Sequence, residues 1–427
     1  MGQQARSQAG TVLVAGGGIG GLAAALCLAR AGFAVEVYEA AREVRALGVG
    51  INLLPHSVRV LRDLGLQGEL AASGIETAEL VYVNKFGQRI WQEPRGLAAG
   101  YAVPQYSIHR GELQMILFRS ALARLPAGRF HPGCALVDFT QDAEGVTAVF
   151  EDRERGGARV EARGACLVAA DGIHSTARRK FYSDEGPPRF SGRMLWRAIT
   201  EMPALLDGRT MVWAGHERQK FVCYPISEPV RAQGRSLVNW IAELRVAETG
   251  STPPRSDWNR EVDKSVFREP FAGWDFGWLS VPALIDGAQA VYEFPMADRD
   301  PVPRWTHGRV TLLGDAAHPM YPVGSNGASQ AILDAEELAA QFAAKPVEAA
   351  LEAYDEARRP ATAAIVLANR QGGPDRVLQI AEERAPQGFA RIEDVIPRAE
   401  LEAIAQSYKR TADFDREAVN KKSAGQA

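Results

Sequence analysis

The clearest sign of a ligand-binding site in the sequence is a run of glycines near the N-terminus. Residues 16–21 read GGGIGG, so glycines stand at the first, third and sixth positions of a G-x-G-x-x-G pattern. The first permits a tight turn, the third lets a backbone approach a pyrophosphate, and the sixth lets a helix pack closely on a strand. The helix that begins here would offer unpaired N–H groups to phosphate. The predicted phosphate contacts are Gly16, Gly18, Ile19, Gly20 and Gly21.

An acidic residue follows this run at the spacing that a dinucleotide site needs. Residues 11–15 and 34–38 are short apolar segments that flank a run of helix formers at 22–31, which predicts a βαβ unit. Glu39 ends the second strand, where a carboxylate accepts hydrogen bonds from ribose hydroxyls. The same carboxylate would repel a 2′-phosphate, so the site is predicted to bind FAD or NAD. A glycine turn with a structural role only is the alternative.

Two further acidic residues stand at the carboxyl ends of buried strands. Residues 165–170 read ACLVAA and run into Asp171-Gly172, and residues 310–313 read VTLL and run into Gly314-Asp315. Open α/β sheets place their ligand contacts at this edge. A nicotinamide dehydrogenase has no need for these two motifs.

Together these motifs resemble the flavoprotein aromatic hydroxylases related to p-hydroxybenzoate and salicylate hydroxylase, over residues 11–370. The sequence is most similar to the phenazine-type hydroxylases of pyocyanin biosynthesis, in blocks such as PQYSIHRGELQMIL and GDAAHPMYPVGSNGASQAILDAEELA. In that family the glycine turn binds the FAD pyrophosphate, the Asp-Gly pair serves FAD and NAD(P)H, and the later Gly-Asp binds the ribityl part. The resemblance therefore implies FAD contacts from Asp171, Gly172 and Asp315.

The resemblance also implies FAD contacts outside these three motifs. Arg110 lies in the segment SIHRGELQMIL, which is similar to the family helix that supplies an FAD-contacting arginine. A free surface arginine is the alternative there. Val49 lies in a stretch that resembles the family loop over the flavin. Leu136 stands where the family contacts the adenine end through its backbone.

The loop at 322–329 is expected to carry the flavin ring. Gly327 and Ala328 open a predicted helix, and unpaired N–H groups at a helix N-terminus stabilise negative charge such as that of reduced flavin. The family pattern here is PxxGQGxN, whereas this chain reads PVGSNGAS. The residues that replace the usual Gly, Gln and Asn are Ser325, Asn326 and Ser329.

The aromatic-rich stretch 187–309 is predicted to form the substrate pocket. Its alternating runs read as strands of an antiparallel sheet with one face on a core and the other over the flavin. Arg197 and Tyr224 are the candidates for meeting a carboxylate or phenol; a solvent-facing Arg197 is the equal alternative. His318 and Pro322 would border the ring, and a histidine without a proton-transfer role is as plausible a reading of His318.

The function that the resemblance implies is that of an FAD-dependent monooxygenase. Such an enzyme hydroxylates an aromatic or N-heteroaromatic substrate, phenazine-like or benzoate-like, with NAD(P)H and O2 through an oxygen adduct at C4a of the flavin. The alternatives are an FAD-dependent oxidase or dehydrogenase without oxygen insertion, and a non-catalytic FAD-binding protein. No general acid or base is assigned.

The expected fold is α/β, with a Rossmann-like FAD-binding domain and an interleaved antiparallel β-sheet domain, as in p-hydroxybenzoate hydroxylase. The FAD-binding domain is expected to be discontinuous, over 11–186 and 295–375. The substrate-binding sheet domain would span 187–294. A C-terminal helix and tail would follow at 376–427.

The composition is that of an ordinary globular protein. A net charge of -3 with no run of like charges argues against nucleic acid, and no stretch is apolar enough to span a membrane. Four scattered cysteines indicate neither metal binding nor disulfides, so a reducing, cytoplasmic location is expected. The expected partner is a small aromatic substrate, and the protein would be a monomer or homodimer.

Overall fold

The computed structural model describes residues 10–46, 48–253 and 260–424. The strands in chain order are β1 (Val12–Ala15), β2 (Val35–Glu39), β3 (Gly50–Leu53), β4 (Ile75–Glu76), β5 (Glu79–Val83), β6 (Arg89–Pro94), β7 (Tyr106–His109), β8 (Phe130–Pro132), β9 (Cys134–Gln141), β10 (Val146–Asp152), β11 (Ala158–Gly164), β12 (Cys166–Ala169), β13 (Arg189–Pro203), β14 (Thr210–His216), β15 (Gln219–Pro225), β16 (Arg235–Arg245), β17 (Arg260–Glu261), β18 (Tyr292–Asp298), β19 (Thr306–His307) and β20 (Val310–Leu312).

The α-helices are α1 (Ile19–Arg30), α2 (Pro55–Asp63), α3 (Gln67–Ser73), α4 (Arg110–Arg124), α5 (Thr176–Phe181), α6 (Glu228–Arg231), α7 (Val281–Gly287), α8 (Gly327–Ala344), α9 (Val347–Arg370), α10 (Arg376–Arg384), α11 (Arg398–Thr411) and α12 (Arg416–Ala424). Short 3-10 turns lie between them at Gly96–Ala99, Lys264–Val266, Glu269–Phe271, Gly314–Ala316, Val323–Ser325, Gly373–Asp375 and Ile392–Asp394.

A mostly parallel sheet organises the N-terminal part of the chain. Its strand order is β19-β20-β12-β1-β2-β8, and only the β19–β20 pair is antiparallel among the pairs that the structure describes. Every residue of β1 and β12 is buried, as expected for strands that are covered on both faces. The alanine-rich helix α1 packs against α8 and α4. The βαβ unit predicted from the glycine run is confirmed.

An eight-stranded sheet forms the other half of the molecule, in the order β17-β18-β13-β16-β15-β14-β5-β6. Strands β13, β14, β15 and β16 lie in the stretch that was predicted to form an antiparallel sheet, and the pairs β13–β16, β15–β16 and β14–β15 are antiparallel. Side chains alternate between the two faces of a strand. One face packs on a core that contains α7, and the other faces the parallel sheet across a cavity.

Two strands of this sheet come from an earlier part of the chain. Strand β5 pairs parallel with β14, and β6 follows β5 at the sheet edge. The sheet therefore includes residues 79–94 as well as those predicted for it. The α/β fold class with an interleaved, largely antiparallel sheet is confirmed, while the domain boundaries stay a prediction.

The C-terminal segment contains more structure than the single helix that the sequence suggested. Helices α10, α11 and α12 follow one another between 376 and 424, and residues 425–427 lie outside the described range. Tyr408 of α11 and Val419 of α12 are both buried against the rest of the protein. The segment is thus part of the packed structure.

Two expectations from composition can be compared with the coordinates. All four cysteines, Cys27, Cys134, Cys166 and Cys223, are buried and free, in positions that suit small apolar side chains. Within the described residues, no helix is both long enough and apolar enough to span a bilayer.

Candidate active site

A cavity of about 380 Å³ lies between the glycine turn and the eight-stranded sheet. Its walls include the turn after β1, the strand β3, the sheet strands β13 to β16, and the loop that precedes α8. The parallel sheet contributes its carboxyl edge, where β12 and β20 end. Segments far apart in sequence thus surround one elongated space.

The glycine turn has the geometry that its sequence predicted. Gly16 has a φ of +113°, and a Cβ added to it would overlap the carbonyl of Ala170. A Cβ on Gly21 would overlap the carbonyl of Gly16, so helix and turn are in backbone contact there. Gly18 has no atom within 4 Å of such a Cβ and borders the cavity, together with Ile19 and Gly20.

Glu39 lies at the end of β2, next to this turn. Its carboxylate accepts hydrogen bonds from the backbone N–H groups of Gly17 at 2.5 Å and Ala41 at 2.7 Å. The side chain is not among those that border the cavity. Its role as a ribose acceptor therefore stays a prediction.

Asp171 and Gly172 occupy the carboxyl edge of β12. One carboxylate oxygen of Asp171 accepts from the backbone N–H of Thr176 at 2.7 Å, and the other is buried without a hydrogen-bond partner among the described residues. Burial raises the pKa of Asp171. Gly172, with a φ of +78°, borders the cavity. An unsatisfied buried acceptor at this edge fits a ligand that carries a donor.

Asp315 and Arg110 both border the cavity, and Arg110 is close enough to affect the ionisation of Asp315. The Asp315 side chain is accessible from the cavity but otherwise enclosed by protein, and this desolvation raises its pKa, against the effect of His318 and Arg110. Arg110 is exposed at the first residue of α4, and its backbone N–H donates to the carbonyl of Val49 at 2.8 Å. Both side chains border the cavity.

The loop 322–326 and the start of α8 close the cavity between its two ends. Pro322, Gly327 and Ala328 all border it, and α8 begins at Gly327 as predicted. The loop contains two consecutive left-handed residues, Gly324 at φ +70° and Ser325 at φ +60°. For a non-glycine residue this conformation is strained and persists only where neighbours impose it.

Besides Gly16, Gly21, Glu39 and Asp171, three further predicted site residues do not border the cavity. Val49 is buried and contributes its carbonyl to Arg110. Leu136 is buried in β9, and its carbonyl accepts from the Thr176 hydroxyl at 3.0 Å. His318 lies behind the cavity wall.

The position of His318 corrects its reading as a pocket residue. Its Nε2 lies 2.5 Å from the carboxylate of Asp334, which also accepts from Arg358 at 2.8 Å. Burial opposes ionisation of Asp334, but His318 and Arg358 lower its pKa overall. The imidazole is thus held in a buried cluster with Asp334 and Arg358.

Arg197 enters the cavity from the eight-stranded sheet. Its guanidinium donates to the carbonyl of Gly50 at 3.0 Å, while its Nε is buried without a partner. No carboxylate pairs with Arg197 in the described part of the chain. Burial lowers the pKa of Arg197, and nearby Arg110 lowers it further, against the effect of Tyr224. The solvent-facing alternative for Arg197 does not hold.

Tyr224 stands beside Arg197 on the same face of the sheet. The side chain is buried, and burial raises its pKa to about 12, against the effect of hydrogen bonding to Arg197 and Asn52. The hydroxyl is therefore neutral and able to donate. Both sheet candidates border the cavity, as predicted.

Several wall residues were missed by reasoning from the sequence. They share the face of Arg197 and Tyr224 at two-residue spacing along their strands. The apolar ones are Leu195, Val222, Ile241 and Met296, and the charged ones are Lys220 and Glu243. Counting every second residue from Arg197 and Tyr224 would have found Leu195, Val222 and Lys220.

Only some of the aromatic residues of this sheet face the cavity. Trp213 borders it, and its Nε1 is buried without a partner among the described residues. Trp196, Phe221 and Trp240 lie on the opposite face in the core with α7. This division agrees with the expected sheet that has one face on a core and the other over the ligand space.

The residues present fit FAD. A glycine turn with open space at Gly18, an unpaired acceptor at Asp171, and Arg110 with Asp315 between them provide contacts for a pyrophosphate, hydroxyls and a polar chain. The fold and the cavity together define an FAD-dependent oxidoreductase of the α/β class.

Comparison with known proteins gives the family. The family described as "FAD binding domain" matches residues 10–369, and the chain belongs to it. It is 43% identical to the phenazine 1,6-dicarboxylic acid hydroxylase PhzS of Lysobacter antibioticus, over 94% of this chain and 97% of that protein. It is 32% identical to a 3-hydroxybenzoate 6-hydroxylase of Polaromonas naphthalenivorans, over 85% and 87% of the two chains.

Solved structures agree with the fold. A salicylate hydroxylase in complex with substrate superposes with a TM-score of 0.72 at 25% identity, covering 97% of each chain. HpxO of Klebsiella pneumoniae with FAD and uric acid gives a TM-score of 0.72 at 25% identity, over 95% and 96%. The predicted family, the FAD-dependent aromatic hydroxylases, is confirmed, and with it the prediction of a flavoprotein monooxygenase.

Proposed function

We propose that the protein hydroxylates a planar aromatic acid of the phenazine type, with NAD(P)H as reductant and O2 as oxidant. The relative with 43% identity is named for a phenazine dicarboxylic acid. Other relatives are named for 3-amino-4-hydroxybenzoate and 6-hydroxynicotinate, which are also planar aromatic acids. A carboxylate on a flat ring is the feature that these substrates share.

One observation carries the proposal, namely an arginine without a counter-ion at the sheet end of the cavity. Arg197 has an unpaired, buried Nε and no carboxylate partner among the described residues. Leaving such a charge unpaired in protein is costly, and a ligand carboxylate would supply the missing partner. Leu195 and Ile241 on the same face provide an apolar surface for a ring.

We propose the following division of work among the residues. Arg197 binds the carboxylate, and the neutral Tyr224 hydroxyl donates to the same group or to a ring substituent. Trp213 lies against the ring face. When bound, FAD supplies the redox and oxygen chemistry. The loop 322–326 excludes water from the space between cofactor and substrate.

FAD itself is proposed to lie along the opposite wall. The proposed contacts that border the cavity are Gly18, Ile19, Gly20, Arg110, Gly172, Asp315, Gly327 and Ala328. Gly16 and Gly21 would shape the turn, and Asp171 would offer its free carboxylate oxygen. Glu39 and Leu136 are retained as proposed contacts at the adenosine side, and Val49 as a proposed contact beside the flavin.

The test compares an acid with its neutral amide in the wild type and in Arg197→Met. We expect KM for phenazine-1-carboxylic acid to rise about 30-fold or more in the variant, since a desolvated charge pair is worth about 2–5 kcal/mol. KM for the carboxamide should change less than about threefold. An equal rise for acid and amide would contradict the role of Arg197 as a carboxylate receptor.

The same assay separates a monooxygenase from an oxidase. Hydroxylated product should form in a one-to-one ratio with NAD(P)H in the presence of substrate, and the stimulation by substrate should be absent with non-aromatic acids. NAD(P)H consumption that yields only hydrogen peroxide, with every aromatic acid tested, would favour the oxidase.

We further propose a cytoplasmic monomer or homodimer. Four buried, unpaired cysteines are consistent with a reducing compartment. Light scattering of the purified, FAD-loaded protein measures the oligomeric state directly. A mass above that of two chains would contradict this proposal.

A further inference from the structure

The loop 322–326 has an unusual neighbour on the side away from the cavity. Helix α11 places the ring of Tyr408 directly against the loop backbone: a Cβ added to Gly324 would overlap the Tyr408 hydroxyl. A Cβ on Gly373 would lie 3.0 Å from both the Tyr408 ring and the side chain of Val323. Three separate segments of the chain therefore meet at this tyrosine.

The Tyr408 hydroxyl is the centre of a buried hydrogen-bond cluster. It accepts from Nδ2 of Asn326 at 2.8 Å, and its single proton is shared between Oδ1 of Asn369 at 2.8 Å and the carbonyl of Val323 at 3.2 Å. Asn326 also donates to the carbonyl of Gly324 at 3.2 Å. Burial raises the pKa of Tyr408, so the hydroxyl remains a neutral donor.

This cluster contacts the part of the loop that is strained. Gly324 and Ser325 are both left-handed, and they lie between Val323 and Asn326, the two loop residues that the tyrosine holds. A strained, non-glycine conformation persists where surrounding contacts determine it. Tyr408 lies beyond residue 369, where the match to the family ends, whereas the loop lies within it.

We propose that Tyr408 is a positioning residue for the flavin loop. Its hydroxyl fixes Val323 and Asn326, and thereby sets the conformation in which Gly324 and Ser325 border the cofactor and substrate space. This inference rests on the proposed function, in which the loop lies beside the FAD ring. Without the hydroxyl the loop samples other conformations, water reaches the cavity, and reducing equivalents are lost as hydrogen peroxide.

The test uses full-length, FAD-loaded Tyr408→Phe with Tyr101→Phe as the matched control. The buried Tyr101 hydroxyl donates to the carbonyl of Phe414 at 2.6 Å, so the control removes a similar bond to the same C-terminal segment. Tyr101 does not border the cavity. Both variants are compared with the wild type by thermal melting, flavin absorption, hydrogen–deuterium exchange of residues 318–330 and peroxide yield.

We expect Tyr408→Phe to raise both the exchange rate of the loop and the peroxide yield by about two- to tenfold, the effect of one buried hydrogen bond on a conformational equilibrium. The flavin absorption bands should shift. The yield of hydroxylated product per NAD(P)H consumed should fall by the amount that appears as hydrogen peroxide. Tyr101→Phe should lower the melting temperature by about as much as Tyr408→Phe does. It should leave flavin absorption, loop exchange and peroxide yield at wild-type values.

A second variant keeps the inference testable if Tyr408→Phe does not fold. Asn326→Ala removes the loop side of the same bond and should reproduce the effect, while the double variant should be no worse than either single one. Equal loop exchange and equal peroxide yield in Tyr408→Phe and Tyr101→Phe would overturn the inference. Failure of the wild type to hydroxylate any aromatic acid would instead count against the proposed function.

Discussion

The two ends of the cavity are built in different ways. At the turn end, the wall consists of backbone from consecutive residues, with open space at Gly18 and backbone contact at Gly21. At the sheet end, the wall consists of side chains from different strands, among them Arg197 of β13 and Tyr224 of β15. A backbone wall suits a cofactor that is always the same molecule. A wall of side chains allows single amino-acid substitutions to change which substrate ring is accepted.

The sheet end also divides its work between two faces. Trp196 and Arg197 are neighbours in β13, but Trp196 packs on Phe267 and donates from Nε1 to Glu293 at 3.0 Å, on the face away from the cavity. Arg197 points to the cavity. Substitutions on the far face should therefore change stability, and those on the near face should change substrate selection.

The largest expected effect is a loss of stability when the glycine turn is altered. Gly21→Ala should lower the free energy of unfolding by about 3 kcal/mol, because its Cβ overlaps the Gly16 carbonyl and the backbone must shift. Gly18→Ala is the matched control, since its Cβ meets no protein atom. Chemical denaturation of the apoproteins should leave Gly18→Ala at the wild-type value, whereas its FAD dissociation constant should rise. Equal stabilities of the two variants would contradict the described turn.

The next effect concerns the cofactor and not the fold. Asp315→Ala should weaken FAD binding by about 10- to 100-fold, as expected for the loss of hydrogen bonds to a charged group. Its melting temperature without FAD should stay within about 2 °C of the wild type, since no core volume is lost. Asp184→Ala, an exposed acid outside the cavity, is the control. Unchanged FAD affinity in Asp315→Ala would remove this residue from the proposed site.

A smaller effect compares the two faces of the sheet directly. Trp240→Phe should lower the free energy of unfolding by about 1–2 kcal/mol, because its Nε1 donates to the Thr200 hydroxyl at 3.0 Å in the core. Trp213→Phe should leave stability nearly unchanged and raise KM for the acid by about two- to fivefold, through a weaker stacking contact. The opposite pattern, with KM altered by Trp240→Phe, would reverse the assignment of faces.

The smallest effect is a dependence of stability on pH. Burial raises the pKa of Tyr224 to about 12, whereas an unfolded tyrosine ionises near 10. The unfolded chain therefore loses this proton first, and the stabilising effect of the neutral hydroxyl is complete below pH 10 and lost as the pH rises from 10 to 12. Relative to Tyr224→Phe, the wild type should lose about 1 kcal/mol between pH 10 and 11. Parallel stability curves would contradict the burial of this hydroxyl.

The same contrast explains what could be predicted from the sequence. The signal for a turn or for the end of a strand lies within a few neighbouring residues. Gly18, Gly172 and Asp315 could therefore be found from short motifs that follow buried strands. The pairing of β5 with β14 joins segments about 130 residues apart and leaves no local pattern. His318 was expected to border the ring because its neighbours in sequence face the cavity, but its own ring is held by Asp334 from α8, which favours the alternative without a proton-transfer role.

The C-terminal segment illustrates a second limit. The amphipathic pattern of 401–415 predicts a helix, and α11 is such a helix. Nothing in that pattern indicates that Tyr408 contacts Gly324, since the contact depends on how α10 and α11 return to the loop. Residues whose effect passes through a distant loop are therefore visible only in the folded structure.

The most direct test of the account follows the oxygen atom. The FAD-loaded protein is given NAD(P)H and phenazine-1-carboxylic acid under ¹⁸O2, and the product is examined by mass spectrometry. The account predicts a hydroxylated acid that carries one ¹⁸O atom, formed in proportion to the NAD(P)H consumed. Product oxygen that derives from water would contradict it. So would NAD(P)H consumption that ends wholly in hydrogen peroxide across phenazine and hydroxybenzoate acids.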